Sequence, residues 1–107
     1  MKKQNIFSAI PSDIPEEVFE TIVTSGAVRI ERIISHGQAT PEGSWYDEDH
    51  GEWVILLKGS ADILFDGETN PITLLPGDHI LIPAHRRHRV TRTDDRGPTI
   101  WVAVYFS

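Results

Sequence analysis

The sequence predicts an all-β domain, a sandwich or closed antiparallel barrel preceded by one short N-terminal helix. Two observations predict the barrel. From Ala27 onward, apolar and β-branched runs follow one another at short spacing, as half-buried strands do. Eight glycines and seven prolines punctuate 107 residues, and many fall between those runs as turn signals. A third observation limits the helix: only Pro15 to Thr24 places apolar residues at helical spacing. A chain of this length builds one core without disulfides or a structural metal. We therefore read residues 1–107 as one domain, with lead-in and helix over 1–26 and barrel over 27–107.

Taken in order, Asn5 to Ile14 carries the isolated apolar residues Ile6, Phe7, Ile10 and Ile14. Their spacing is too irregular for a helix and suits an extended lead-in packed on the barrel. Pro15 stands where a first helical turn tolerates proline, Glu16 and Glu17 complement the positive end of a helix dipole, and Gly26 suits the exit. Val18, Phe19, Ile22 and Val23 give this helix its apolar face. Ala27 to Ser35 reads as the first strand and His36 to Ser44 as a loop. Trp53 to Lys58, Ala61 to Phe65, Ile72 to Leu75, His79 to Ile82, His88 to Thr93 and Thr99 to Phe106 supply the remaining strands. Asp66-Gly67 and Asp94 to Pro98 mark turns between them.

The most specific stretch is Pro76 to Val90. Pro76-Gly77 has the composition of a type II turn, Ile80-Leu81-Ile82 is a short buried strand, and Pro83 stops it. His85 and His88 follow just past the strand end. Gly77, Pro83 and His88 stand at the spacing of the second cupin motif, with His85 at that motif's second glycine and Arg92 at its closing asparagine. Glu52 and Gly59 fit the second half of the first cupin motif. Its two leading histidines fall on Tyr46 and Glu48 or, with the longer gap, on Trp45 and Asp47. Residues 43 to 92 thus resemble a cupin, which implies a jelly-roll barrel.

In cupins three histidines and one glutamate hold a divalent ion inside the barrel. Carried onto this chain, the resemblance implies Glu52 and His88 as ligands, with Glu48 in place of one histidine and His50 and His85 as additional candidates. Carboxylates and imidazoles suit zinc, iron, manganese or nickel. No organic cofactor is implied. The residues themselves allow this arrangement, because Tyr46, Glu48, His50 and Glu52 share one face if the stretch is extended. Asp47 to His50 reads equally well as a solvated loop. Glu52 is harder to dismiss, since a charge entering an apolar strand is costly to bury unless paired or bound. Trp45, Tyr46 and Trp53 form an aromatic group around the altered motif that suits a flat or sugar-like ligand, or plain core.

Composition removes other classes. With no cysteine there is no disulfide framework, zinc-thiolate site or thiol catalysis. A formal charge of −6 argues against a nucleic-acid partner, and no apolar run approaches the length of a membrane span. Met1-Lys2-Lys3 is followed by no hydrophobic signal core, so the cytoplasm is the expected compartment. The expected partners are a small-molecule ligand and, from the apolar surplus in Ile6 to Ile14 and Ile100 to Phe106, a second copy of the chain. Two functions fit: a small-molecule-binding cupin with a divalent ion, or a metal-dependent cupin enzyme of oxygenase or isomerase type.

Overall fold

Eight antiparallel strands in two facing sheets make up the computed structural model, which covers residues 1–107. They are β1 (Val18–Ser25), β2 (Val28–Ser35), β3 (Gly51–Lys58), β4 (Ala61–Phe65), β5 (Ile72–Leu74), β6 (His79–Ile82), β7 (His88–Thr93) and β8 (Thr99–Phe106). The larger sheet has the order β1-β2-β8-β3-β6 and the smaller β5-β4-β7. β4, β6, β7 and β8 coincide with the predicted ranges, and β2, β3 and β5 differ by one or two residues at one end.

The helix does not exist. Residues predicted as helical from Pro15 to Thr24 lead into and form β1, which pairs with β2 through most of its length. Five of the eight β1 residues (Val18, Thr21, Ile22, Val23, Thr24) are β-branched, and such side chains pack better on a pleated surface than against a helical turn. Gly26 is the reason the signals coincide. It takes positive φ (56°) at the first position of a two-residue turn closing Ser25 onto Val28, so it serves a hairpin rather than a helix end. A bulge between Thr21 and Val23 adds one residue to the strand and breaks its strict alternation.

Between the sheets lies a core of Ile33, Val54, Leu56, Trp101 and Ala103 from the larger sheet packed against Ala61, Ile63, Phe65 and Leu74 from the smaller. Alternation along β3 and β8 sets what else faces inward: Glu52 has the parity of Val54 and Leu56, and Tyr105 that of Trp101 and Ala103. The lead-in packs on the other face of β2, as expected. Arg32 there is 8% exposed, donates to the Ile6 and Ser8 carbonyls at 3.0 and 2.6 Å, and pairs with Glu20 at 2.7 Å. No helix of the chain is long and apolar enough to cross a membrane.

Candidate functional site

One cavity of about 90 Å³ opens between the sheets. Its polar wall comes from four places. Glu52 is the second residue of β3, His88 opens β7, Tyr46 and Glu48 come from the loop before β3, and Glu17 stands just before β1. Phe19, Trp101 and Tyr105 supply aromatic wall beside apolar side chains of the core.

Local structure explains why His88 points where it does. Tyr46 bridges to His88 through paired backbone bonds of 2.8 and 3.2 Å, which brings the loop alongside β7. The imidazole stacks on Tyr46 (centroids 5.5 Å, planes at 26°) and lies against Phe65. Its Nδ1 donates to the Arg86 carbonyl at 2.8 Å. A carbonyl only accepts, so in the neutral ring the lone pair sits on Nε2. That Nε2 stands 4.0 Å from Glu52 Oε1, too far for a hydrogen bond.

Burial pushes the Glu52 carboxyl up to about 7, with the neighbouring Glu48 charge adding to the effect and His50 opposing it. Burial, then Glu17, raises the Tyr46 phenol, and burial followed by Glu52 raises Tyr105. Both phenols therefore stay neutral donors at physiological pH.

The structure chooses between the two motif alignments. Tyr46 and Glu48 line the cavity, while Trp45 and Asp47 do not. Trp45 packs beneath the guanidiniums of Arg87 and Arg89, at 5.4 and 5.7 Å from its ring centroid. Trp53 is displaced for the same reason of parity. It alternates with Glu52 and Val54, and its Nε1 donates to His79 Nδ1 at 3.2 Å. Of the aromatic group, only Tyr46 reaches the cavity.

Two of the candidate histidines also fall outside the cavity lining. His50 is turned edge-on to Tyr105 (centroids 5.3 Å) with Nδ1 3.2 Å from Asp49, because bends at Asp49 and His50 end the extended run on which its parity was argued. His85 has a side chain 69% exposed and bonded to Asp47 at 2.8 Å, while its N–H donates to the Glu48 carbonyl at 2.7 Å. It ties down the loop that carries Glu48. Glu52, His88 and Glu48 share the cavity, although no three His, Asp or Glu groups come together as a ready-made ion site.

Sequence reasoning missed Glu17, Phe19, Trp101 and Tyr105 as lining residues. The first two lie in the run read as the helix from Pro15 to Thr24, where a strand reading would have set Glu17 and Phe19 on one face. For Trp101 and Tyr105 parity was visible, and only the inward side was undecided.

The cupin domain family matches residues 31–105, which takes in both motifs and most of the barrel. The chain belongs to the cupins. Its fold is shared with a provisionally named mannose-6-phosphate isomerase of Ralstonia eutropha JMP134, at 45% identity and a TM-score of 0.96 over 100% of this chain and 99% of that one. A cupin superfamily protein of Desulfitobacterium hafniense DCB-2 is 21% identical (TM-score 0.73; 91% of this chain, 83% of that one). A cupin of Desulfovibrio desulfuricans is likewise 21% identical (TM-score 0.73; 97% and 95%). The last two speak to fold alone. No curated protein matches the chain.

Proposed function

We propose that this cupin binds a small molecule in its barrel cavity together with a divalent ion held by Glu52 and His88. The observation that supports the reading is the approach of the His88 lone pair to the Glu52 carboxyl, 4.0 Å apart on one cavity wall, from two motifs far apart in sequence. The His88 lone pair and, once ionised, the Glu52 carboxylate are acceptors toward the cavity, which suits a cation. Glu48, lining the same cavity, is the carboxylate available as a third donor. Zinc, iron, manganese or nickel fits this donor set. A bound ion would act as a Lewis acid toward a ligand oxygen. The chain's own part is to fix the His88 ring through Arg86 and Tyr46 and to keep Glu52 in a shielded setting.

A second reading is a metal-dependent enzyme of isomerase type. What favours it is the name of the Ralstonia protein, which is 45% identical along the full length. Isothermal titration of metal-stripped protein with each ion tests the first reading. One ion per chain is expected at neutral pH, with binding weakened by about tenfold or more in His88→Ala. His36→Ala should bind as the parent does, since His36 is exposed and bonded to the Asp95 carbonyl. An unaltered protein that takes up no divalent ion removes the ion from the reading. Binding as tight in His88→Ala as in the parent would put the ion elsewhere.

A further inference from the structure

The cavity wall is one-sided in charge. Glu17, Glu48 and Glu52 line it, and no lysine or arginine does. The arginines of β2 are engaged: Arg29 lies over the Tyr105 ring with Nε 3.3 Å from Glu31, and Arg32 is held by Glu20 and the lead-in carbonyls. Arg86 is bonded to the Asp66 carbonyl and lies 4.9 Å over the Phe65 ring.

The wall is one-sided in hydrogen-bonding sense as well. The His88 side chain is 7% exposed, and its Nε2 is an acceptor that no hydrogen bond satisfies. Glu17 accepts from Ser35 Oγ at 2.5 Å, and that hydroxyl is fixed in turn by Trp101 Nε1 at 3.1 Å, which leaves the second Glu17 oxygen as another acceptor. Among possible donors, Trp101 is thus engaged with Ser35 and the Tyr105 hydroxyl with Glu31, which leaves the Tyr46 hydroxyl as the donor facing four acceptor groups. A ligand entering this cavity meets mostly acceptors.

Phosphate and carboxylate groups bring negative charge and further acceptors, the wrong complement on both counts. A protonated amine is the right one, with three donors, no acceptor and a positive charge. With a divalent ion on Glu52 and His88, Glu17 and Glu48 remain as the acidic wall that an ammonium group would meet, and the ion would take a neutral ligand oxygen such as a hydroxyl. The cavity, at about 90 Å³, is far below the roughly 300–1,000 Å³ of sites for drug-sized ligands. We infer that the organic ligand is a small primary amine or ammonium compound, and that phosphorylated and carboxylated molecules are turned away. This deepens the proposed function and rests on its reading of the cavity as the binding site. It also parts this chain from a sugar phosphate, the substrate class in the Ralstonia protein's name.

The experiment is ligand-observed NMR with ethanolamine, ethylene glycol and glycolate, a matched cation, neutral and anion, on the full chain both metal-stripped and zinc-loaded. Ethanolamine should bind about tenfold tighter than ethylene glycol, as one charge-assisted hydrogen bond provides, and glycolate weakest of the three. Glu17→Gln combined with Glu48→Gln should remove most of that preference while thermal melting confirms the fold. Glycolate binding as tightly as ethanolamine overturns the inference, as does absence of amine binding or a preference that survives the double substitution. The two readings fail separately. Zinc uptake lost in His88→Ala with no amine preference sinks only the amine, whereas amine preference without metal uptake supports the amine and sinks only the ion.

Discussion

Glu52 shows most directly what the barrel does to a single side chain. Its ordinary value of 4.5 is raised to about 7 chiefly by burial, so the folded protein holds a proton there that the unfolded chain has released. A carboxyl raised in this way favours folding below the unfolded value and loses that contribution as pH climbs through the folded one. Glu52→Gln should therefore stabilise the metal-free protein at pH 8, by up to about 3 kcal/mol, and change little at pH 4. Urea denaturation at the two pH values measures this. A variant no more stable than the parent at pH 8 would refute it. Glu52 and His88 were legible because motif spacing survives in both. The alignment of Tyr46 and Glu48 was not, since a gap of three or four residues is settled only by where the loop meets β7. His85 carries a different lesson. At the motif's glycine position it takes a left-handed backbone (φ 62°), which suits glycine and which an L side chain adopts at a cost, and its bonds to Asp47 and Glu48 hold it there.

At the scale of elements, turn chemistry was more readable than periodicity. Pro76-Gly77 forms the expected turn, with Gly77 at φ 95° and the Asp78 carboxylate accepting from the Leu75 N–H at 2.8 Å. The β1 error came from a run whose apolar residues suit either period and whose hairpin bulge removed the alternation that would have decided it. Gly59 shows how far a motif glycine can be structural. It combines φ 87° with so close an approach to β8 that an added Cβ would lie 2.8 Å from Thr99 Cα and meet the Thr99 hydroxyl as well. Neither neighbour is the free end of a flexible chain, and Thr99 is fully buried. Gly59→Ala should destabilise by about 2–4 kcal/mol, summing left-handed strain and overpacking. Gly67→Ala, with φ 88° but open space around it, should lose only the strain. Equal losses in chemical denaturation of the two variants would refute the close-approach argument.

For the whole molecule, the barrel was legible from turn spacing and motif order, but the distribution of exposed apolar surface was not. The apolar residues of Ile6 to Ile14 and of the last strand first suggested a second copy, yet Ile14, Ile100, Trp101 and Ala103 are buried within the chain itself. Exposed apolar side chains stand on several elements, among them Phe7 in the lead-in, Leu75 before β6 and Leu81 on β6, but β1 carries two in succession, Ile22 and Val23, each about half exposed. β1 is also an edge of the larger sheet, and it lacks the lysine or proline that commonly guards such an edge. Its one charge, Glu20, is already paired with Arg32. An acidic protein of net charge −6 meets its own copy more readily through such an apolar strip than through its charged faces. We therefore propose an isologous homodimer through β1, the self-complementary solution that a two-fold axis allows. Light scattering at micromolar concentration should give twice the 12.0 kDa chain mass, and Ile22→Lys should shift it to a single chain with an unchanged circular dichroism spectrum. A parent protein that scatters as a monomer would rule out the dimer, and a dimer that persists in Ile22→Lys would move it away from β1.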